Sequence, residues 1–161
     1  MQVSLINYTP DPELTIAVAA RSSASSLSIE QIQHKLTQEQ VTNLLKQLLS
    51  SGHLSPFEHV SFTFAIEGIS RITSHQLVRH RLASYTQQSQ RYVSVREHGY
   101  ITPPTISARP EFLAKYQQAV RNAQELYNLM QEAGIPNEDA RFVLPQAITT
   151  QLVVTMNARE L

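Results

Sequence analysis

The sequence predicts a single α+β domain, and three observations carry that reading. Apolar residues recur at helical spacing behind a cap signature near residue 37, and again over 111–132. Over 60–67 they alternate with polar residues instead, the pattern of a half-buried strand. No repeat, linker or low-complexity tract divides the 161 residues, a length that can bury one real core.

The elements follow in chain order. Residues 2–8 suit a short strand, and Glu13 to Ser22 form an apolar segment of undecided type. Ser22 to Ser28 is small and polar and reads as loop. Thr37 and Gln40 make a capping box, behind which Val41, Leu44, Leu45 and Leu48 fall on one helical face, and Gly52 supplies the stop. Val60, Phe62, Phe64 and Ile66 alternate with Ser61, Thr63, Ala65 and Glu67, giving the strand. Ile69 to about Arg81 reads as a helix that runs into an arginine-rich loop. A long helix spans roughly 111–132, with Leu113, Tyr116, Val120, Ala123, Tyr127 and Met130 on its apolar side, and Gly134 and Pro136 end it. Residues 148–156 form a final strand.

Composition narrows the class. Thirteen basic residues balance thirteen acidic ones, so no global charge draws the chain to nucleic acid or membrane. No apolar run approaches a membrane span, and no basic-then-apolar leader opens the sequence. The absence of cysteine excludes disulfides, thiolate catalysis and cysteine-ligated metal. A cytoplasmic protein is expected.

Neutrality conceals an asymmetry. From Gly68 to Arg96 there are five arginines (Arg71, Arg79, Arg81, Arg91 and Arg96), with no lysine, aspartate or glutamate. Arginine without lysine favours bidentate recognition of phosphate or carboxylate over a merely solvated face. On a helix, His75, Gln76 and Arg79 share one side, while His80 and Arg81 point elsewhere. Further on, Ser89 and Arg91 lie two apart, so an extended chain aims both at one point. A hydroxyl beside a guanidinium suits a phosphate, and the glutamines among residues 87–90 suit the edge of a nucleobase.

The stretch from His53 to Val60 holds His53, Glu58 and His59. Their spacing does not fit a helical metal pair and Pro56 interrupts any helix, so no metal is expected. His59 is expected to be a satisfied core histidine or one that supports a site from behind, whereas His53 and Ser55 are freer to reach a ligand. A Ser-His-Asp hydrolase lacks support, because there is no nucleophile elbow and the only aspartates are Asp11 and Asp139. At the other end, Asn157 and Glu160 have the layout of a helix N-cap and first turn. A lone helical turn is not stable, so the expectation is of a C-terminal helix cut short at Leu161.

The stretch RHRLASYTQQSQRY, residues 79–92, resembles the signature of the flavin-dependent thymidylate synthases: Arg-His-Arg, seven residues, then Ser. The resemblance extends to HLSPFEH at 53–59, HQLVRHR at 75–81, ARFVLP at 140–145 and TMNAREL at 155–161. It covers nearly the whole chain in order. It implies an α+β fold with a mostly antiparallel sheet, assembled as a homotetramer with active sites between subunits. It also implies a reaction, the methylation of dUMP to dTMP. The carbon comes from 5,10-methylenetetrahydrofolate, and the reducing equivalents come from NADPH through FAD. The unrelated thymidylate synthases attack the uracil ring with a cysteine thiolate, which this chain lacks.

Residue roles are implied by position. Arg79, His80 and Arg81 would contact FAD, with Arg79 also touching dUMP and Gln76 binding dUMP from the same helical side. Gln87, Ser89, Gln90 and Arg91 match the nucleotide-binding stretch, with Ser89 and Arg91 nearest the phosphate. The family often has glutamate in place of Gln87, so that the amide keeps acceptor capacity without the charge. Many relatives have glycine in place of Gln90, which suggests a backbone contact there. His53 and Ser55 would approach the flavin, and His53 and Arg79 would stand at the chemistry. Arg141 would hold dUMP, and Asn157 and Arg159 would meet FAD. Beyond Leu161 the family continues with a helix that carries further flavin contacts and an arginine acting on the uracil ring. On this reading the arginines of 79–91 have no protein counter-ion because two nucleotides supply the negative charge. The rival is an arginine-rich nucleic-acid-binding module, against which stand the zero net charge and the confinement of the patch to one segment.

Overall fold

A computed structural model of the chain describes residues 1–95 and 99–161. Arg96, the last of the five clustered arginines, lies outside the described residues. In chain order the elements are β1 (Gln2–Tyr8), α1 (Pro12–Ser22), α2 (Ile29–Lys35), α3 (Gln38–Ser51) and a 3-10 turn at Ser55–His59. Next come β2 (Ser61–Ser70), α4 (Arg71–Leu77), β3 (Ala83–Gln87), α5 (Pro104–Ser107) and α6 (Pro110–Glu132). The chain finishes with α7 (Asn137–Ala140), a 3-10 turn at Arg141–Val143 and β4 (Thr149–Asn157). The strands take the order β1-β2-β4-β3. Thr63 meets Thr155 through their hydroxyls at 2.9 Å, and Arg71 N donates to Ile148 O at 3.1 Å. One index rises as the other falls, so β2 and β4 are antiparallel. The fold is α+β, as expected.

The chain forms two compact units. The first comprises Met1–Val3, Ala65–Arg81 and Tyr85–Val153; the second comprises Ser4–Phe64, Leu82–Ser84 and Val154–Leu161. In the second unit, Ile16 of α1, Leu48 of α3, Phe57 and Val60 form the core, with Phe62 and Ala158 packed against it. Both capping boxes are formed there. The Thr37 hydroxyl accepts from Gln40 N while Gln40 Oε1 accepts from Thr37 N, and Ser28 and Gln31 make the same exchange. Gly52 ends α3 at φ 73°, a left-handed conformation that glycine adopts without steric cost. The undecided segment at 13–22 is helical, entered by Pro12 in its first turn.

In the first unit, α6 turns Val120 and Tyr127 inward, and Tyr127 packs with Val95 and Ala140 at no solvent exposure. Each fully buried apolar side chain of this kind contributes about 1.5–3 kcal/mol, which is what fixes a 23-residue helix that carries no side-chain cap.

Two expectations are corrected here. The segment 69–81 is not one helix: β2 runs on through Ser70, and α4 covers only Arg71–Leu77. Ser70 ends the strand because its hydroxyl accepts from Thr73 N at 3.1 Å, making it the N-cap. His59 is not a core histidine but exposed, because Phe57 and Val60 take the buried positions on either side.

Candidate functional site

In the first unit the arginine-rich stretch is held by a tyrosine. Tyr85 on β3 places its hydroxyl 3.0 Å from Leu77 O, which also accepts from His80 N at 3.1 Å, and 2.9 Å from His80 O, just past the end of α4. Burial raises the Tyr85 phenol above its ordinary value, so it stays a protonated donor. The loop carrying Arg79, His80 and Arg81 is thereby tied at its base while Arg79 and Arg81 remain exposed. Among the described residues, no carboxylate pairs with either guanidinium. Because α4 stops at Leu77, His75, Gln76 and Arg79 do not share a helical side. Arg79 instead follows a turn in which its N–H donates to Gln76 O at 3.1 Å.

Beyond β3 the chain turns rather than extending. Ser89 Oγ accepts from Arg91 N at 3.2 Å, and Ser89 O accepts from Val93 N at 3.0 Å. A serine hydroxyl readily captures an amide two residues on, which overrides the extended arrangement expected of Ser89 and Arg91. Gln87 is anchored inward: its Nε2 donates to Ser74 Oγ at 2.7 Å and Thr150 Oγ1 at 3.1 Å. Both amide donors are then committed, leaving Oε1 as the group able to meet a ligand. Gln90 is half-buried in the turn between Ser89 and Arg91.

Arg91 does have a protein counter-ion, contrary to expectation. Its Nε and NH2 lie 3.3 and 3.2 Å from Glu138 Oε2, and its guanidinium sits 5.7 Å from the Tyr92 ring centroid. Arg141 approaches the same residue from the other side, Nε donating to Glu138 O at 3.1 Å. Burial, and then the Arg141 charge, hold Arg71 below the usual arginine value. Arg91 and Arg141 thus both contact Glu138 on one short helix, and Arg71 lies near enough to feel the Arg141 charge. Among the described residues no carboxylate side chain pairs with Arg71 or Arg141. Arg71 belongs to the basic stretch but matches none of the motif positions to which a role is assigned. Only the charge cluster in the sequence could have signalled it.

In the second unit two motifs that are a hundred residues apart meet. Arg159 NH1 pairs with Glu58 Oε1, and Ala158 N donates to Val60 O at 2.8 Å. Asn157 Oδ1 accepts from Arg159 N and Glu160 N, both at 3.1 Å, hydrogen bonds of the N-cap type that here head a turn directly after β4. The Glu58 turn also carries Ser55, and His53 leaves α3 beside it with its N–H on Leu48 O at 3.0 Å. His53 and Ser55 are exposed. Asn157 Nδ2 and the hydroxyl, imidazole and guanidinium of Ser55, His53 and Arg159 are the groups presented. A cavity of about 650 Å³ in this unit is lined by Asp11, Thr15, Gln33 and His59 among others, and by none of the predicted site residues. A smaller one of about 290 Å³ in the first unit includes Gln87 with Glu67 and Gln88.

The chain belongs to the family described as thymidylate synthase complementing protein, which matches residues 4–161. It is 48% identical over 163 residues to a flavin-dependent thymidylate synthase of Geobacter sulfurreducens, covering all of this chain and 70% of that protein. A flavin-dependent thymidylate synthase of Clostridium tetani is 42% identical over 177 residues, with coverage of 100% and 71%. Among solved structures, the UMP/dUMP methylase PolB from Streptomyces cacaoi, bound with 5-Br dUMP, superposes with a TM-score of 0.83 at 27% identity. That superposition covers 99% of this chain and 73% of the methylase.

Proposed function

We propose that the chain carries out the reductive methylation of dUMP to dTMP, with 5,10-methylenetetrahydrofolate as carbon donor and NADPH as the source of reducing equivalents. The observation that carries this reading is the meeting of Arg91 and Arg141 at Glu138, in a chain whose relatives are named thymidylate synthases. Two guanidiniums against one carboxylate leave an excess of positive charge suited to a phosphate monoester.

In this reading Arg91 and Arg141 hold the dUMP phosphate, with Ser89 and the backbone at Gln90 beside it. Gln76 and Gln87 Oε1 face the base. Arg79 would serve both dUMP and FAD, and His53 and Arg79 are the residues proposed to act in the chemistry. The donor set also fits FAD: Arg79, His80 and Arg81 offer cationic and ring N–H groups to a diphosphate, and His53, Ser55, Asn157 and Arg159 offer further polar contacts. FAD, when bound, supplies the hydride. The protein supplies binding and orientation, and the absence of cysteine supports a route without a thiolate nucleophile. A homotetramer with active sites between copies is part of the proposal.

The test is dUMP affinity in Arg91→Ala. Losing a charge-assisted contact worth about 1.5–3 kcal/mol should weaken dUMP roughly 10- to 150-fold. Deoxyuridine, which has no phosphate, should bind the variant and the unaltered chain alike. Equal weakening of both ligands would take the phosphate away from Arg91.

A further inference from the structure

We propose that Glu138 is a built-in competitor for the nucleotide phosphate, occupying Arg91 until the phosphate displaces it. The inference rests on the reading of Arg91 as a phosphate ligand and adds a regulatory element to that site.

Two features of the contact carry it. First, Nε and NH2 of Arg91 converge on one oxygen, Glu138 Oε2, at 3.3 and 3.2 Å. This copies with a carboxylate the contact that a phosphate oxygen would make, so both anions need the same face of the guanidinium. Second, the pair is half open to water, its side chains 53% and 52% exposed. Ion pairs in that setting contribute little, so a phosphate dianion can replace the carboxylate without a large loss.

The surroundings favour exchange over permanent pairing. Glu138 lies on the four-residue helix α7, whose entry at Pro136 has no side-chain cap. Its backbone carbonyl is held by Arg141 Nε at 3.1 Å. The main chain at Glu138 therefore stays near the arginines while its side chain is free to swing away. Once displaced, the carboxylate stands close to an incoming phosphate and repels it if it lingers. Pairing in the empty state and repulsion in the occupied state act in the same direction, and each lowers the apparent affinity for a phosphorylated ligand.

The experiment measures dissociation constants for dUMP and deoxyuridine by calorimetry on the full chain, Glu138→Gln, Arg91→Ala and the double variant. Glutamine keeps the size of the side chain at an exposed position and removes its charge. Competition predicts that Glu138→Gln binds dUMP about 2- to 10-fold more tightly and deoxyuridine unchanged. It also predicts that the gain disappears when Arg91 is alanine. If Arg91→Ala weakens dUMP selectively but Glu138→Gln leaves it unchanged or weakens it, the competition is wrong and the phosphate reading stands; Glu138 would then be orienting Arg91. If Arg91→Ala leaves dUMP affinity unchanged, the phosphate reading itself falls, and the competition falls with it.

Discussion

The Gln87 side-chain nitrogen lies 2.7 Å from the hydroxyl of Ser74, a residue with no solvent exposure. Ser74 in turn donates to Arg71 O at 2.9 Å, so one buried hydroxyl joins β3 to α4. Ser74→Ala leaves a half-buried amide short of an acceptor, which costs about 1–3 kcal/mol. Urea unfolding should show a loss of that size, with no comparable loss for Ser84→Ala at an exposed position on β3. Equal stabilities would mean that water replaces the hydroxyl without penalty.

Tyr85 makes the loop of Arg79–Arg81 sensitive to high pH. Its hydroxyl serves the Leu77 and His80 carbonyls only while protonated, and burial raises its pKa above the ordinary value. The stabilisation is therefore fully present below the unfolded-state pKa of about 10 and is lost as pH rises through the higher folded value. Tyr85→Phe should lose about 0.5–1.5 kcal/mol at neutral pH and show a flatter alkaline limb in its stability profile. Identical alkaline limbs in the two proteins would remove Tyr85 as the cause.

Arg81→Ala should weaken flavin retention while leaving the fold intact, because the side chain is exposed and has no carboxylate partner among the described residues. Desalting the FAD-treated variant and reading the remaining flavin absorbance checks this. Retention equal to that of the unaltered chain would exclude Arg81 from the flavin contacts.

Gly52→Ala tests the turn that launches His53. At φ 73° a β-carbon meets no neighbour within 4 Å, so the penalty is conformational rather than steric crowding. A non-glycine residue held in that region costs about 1–2 kcal/mol, which should appear as a lower denaturation midpoint. An unchanged midpoint would show that the turn relaxes.

What the sequence revealed was mostly local. The Thr37–Gln40 box, the left-handed Gly52, the inward face of α6 and the Asn157 cap each involve residues within a turn or two of one another. The Ser28–Gln31 box is equally local, but its serine closes a small, polar stretch that by composition alone suits a loop. Helix and strand were confused over 69–81 because Ile69 continues β2, while the switch at Ser70 depends on one hydroxyl. The pairs Arg91–Glu138 and Arg159–Glu58 lie 47 and 101 residues apart, and no spacing rule announces them. Arg159 pairs with Glu58 although Glu160 is its neighbour in sequence, so the partner is chosen by the fold and not by proximity along the chain.

The absorption spectrum of the purified chain, incubated with FAD and then desalted, tests the account most directly. The predicted result is a retained oxidised-flavin band that responds to added dUMP. A colourless protein that instead binds polynucleotide, with an affinity falling steeply as salt rises, would contradict it and identify the arginines as a nucleic-acid surface.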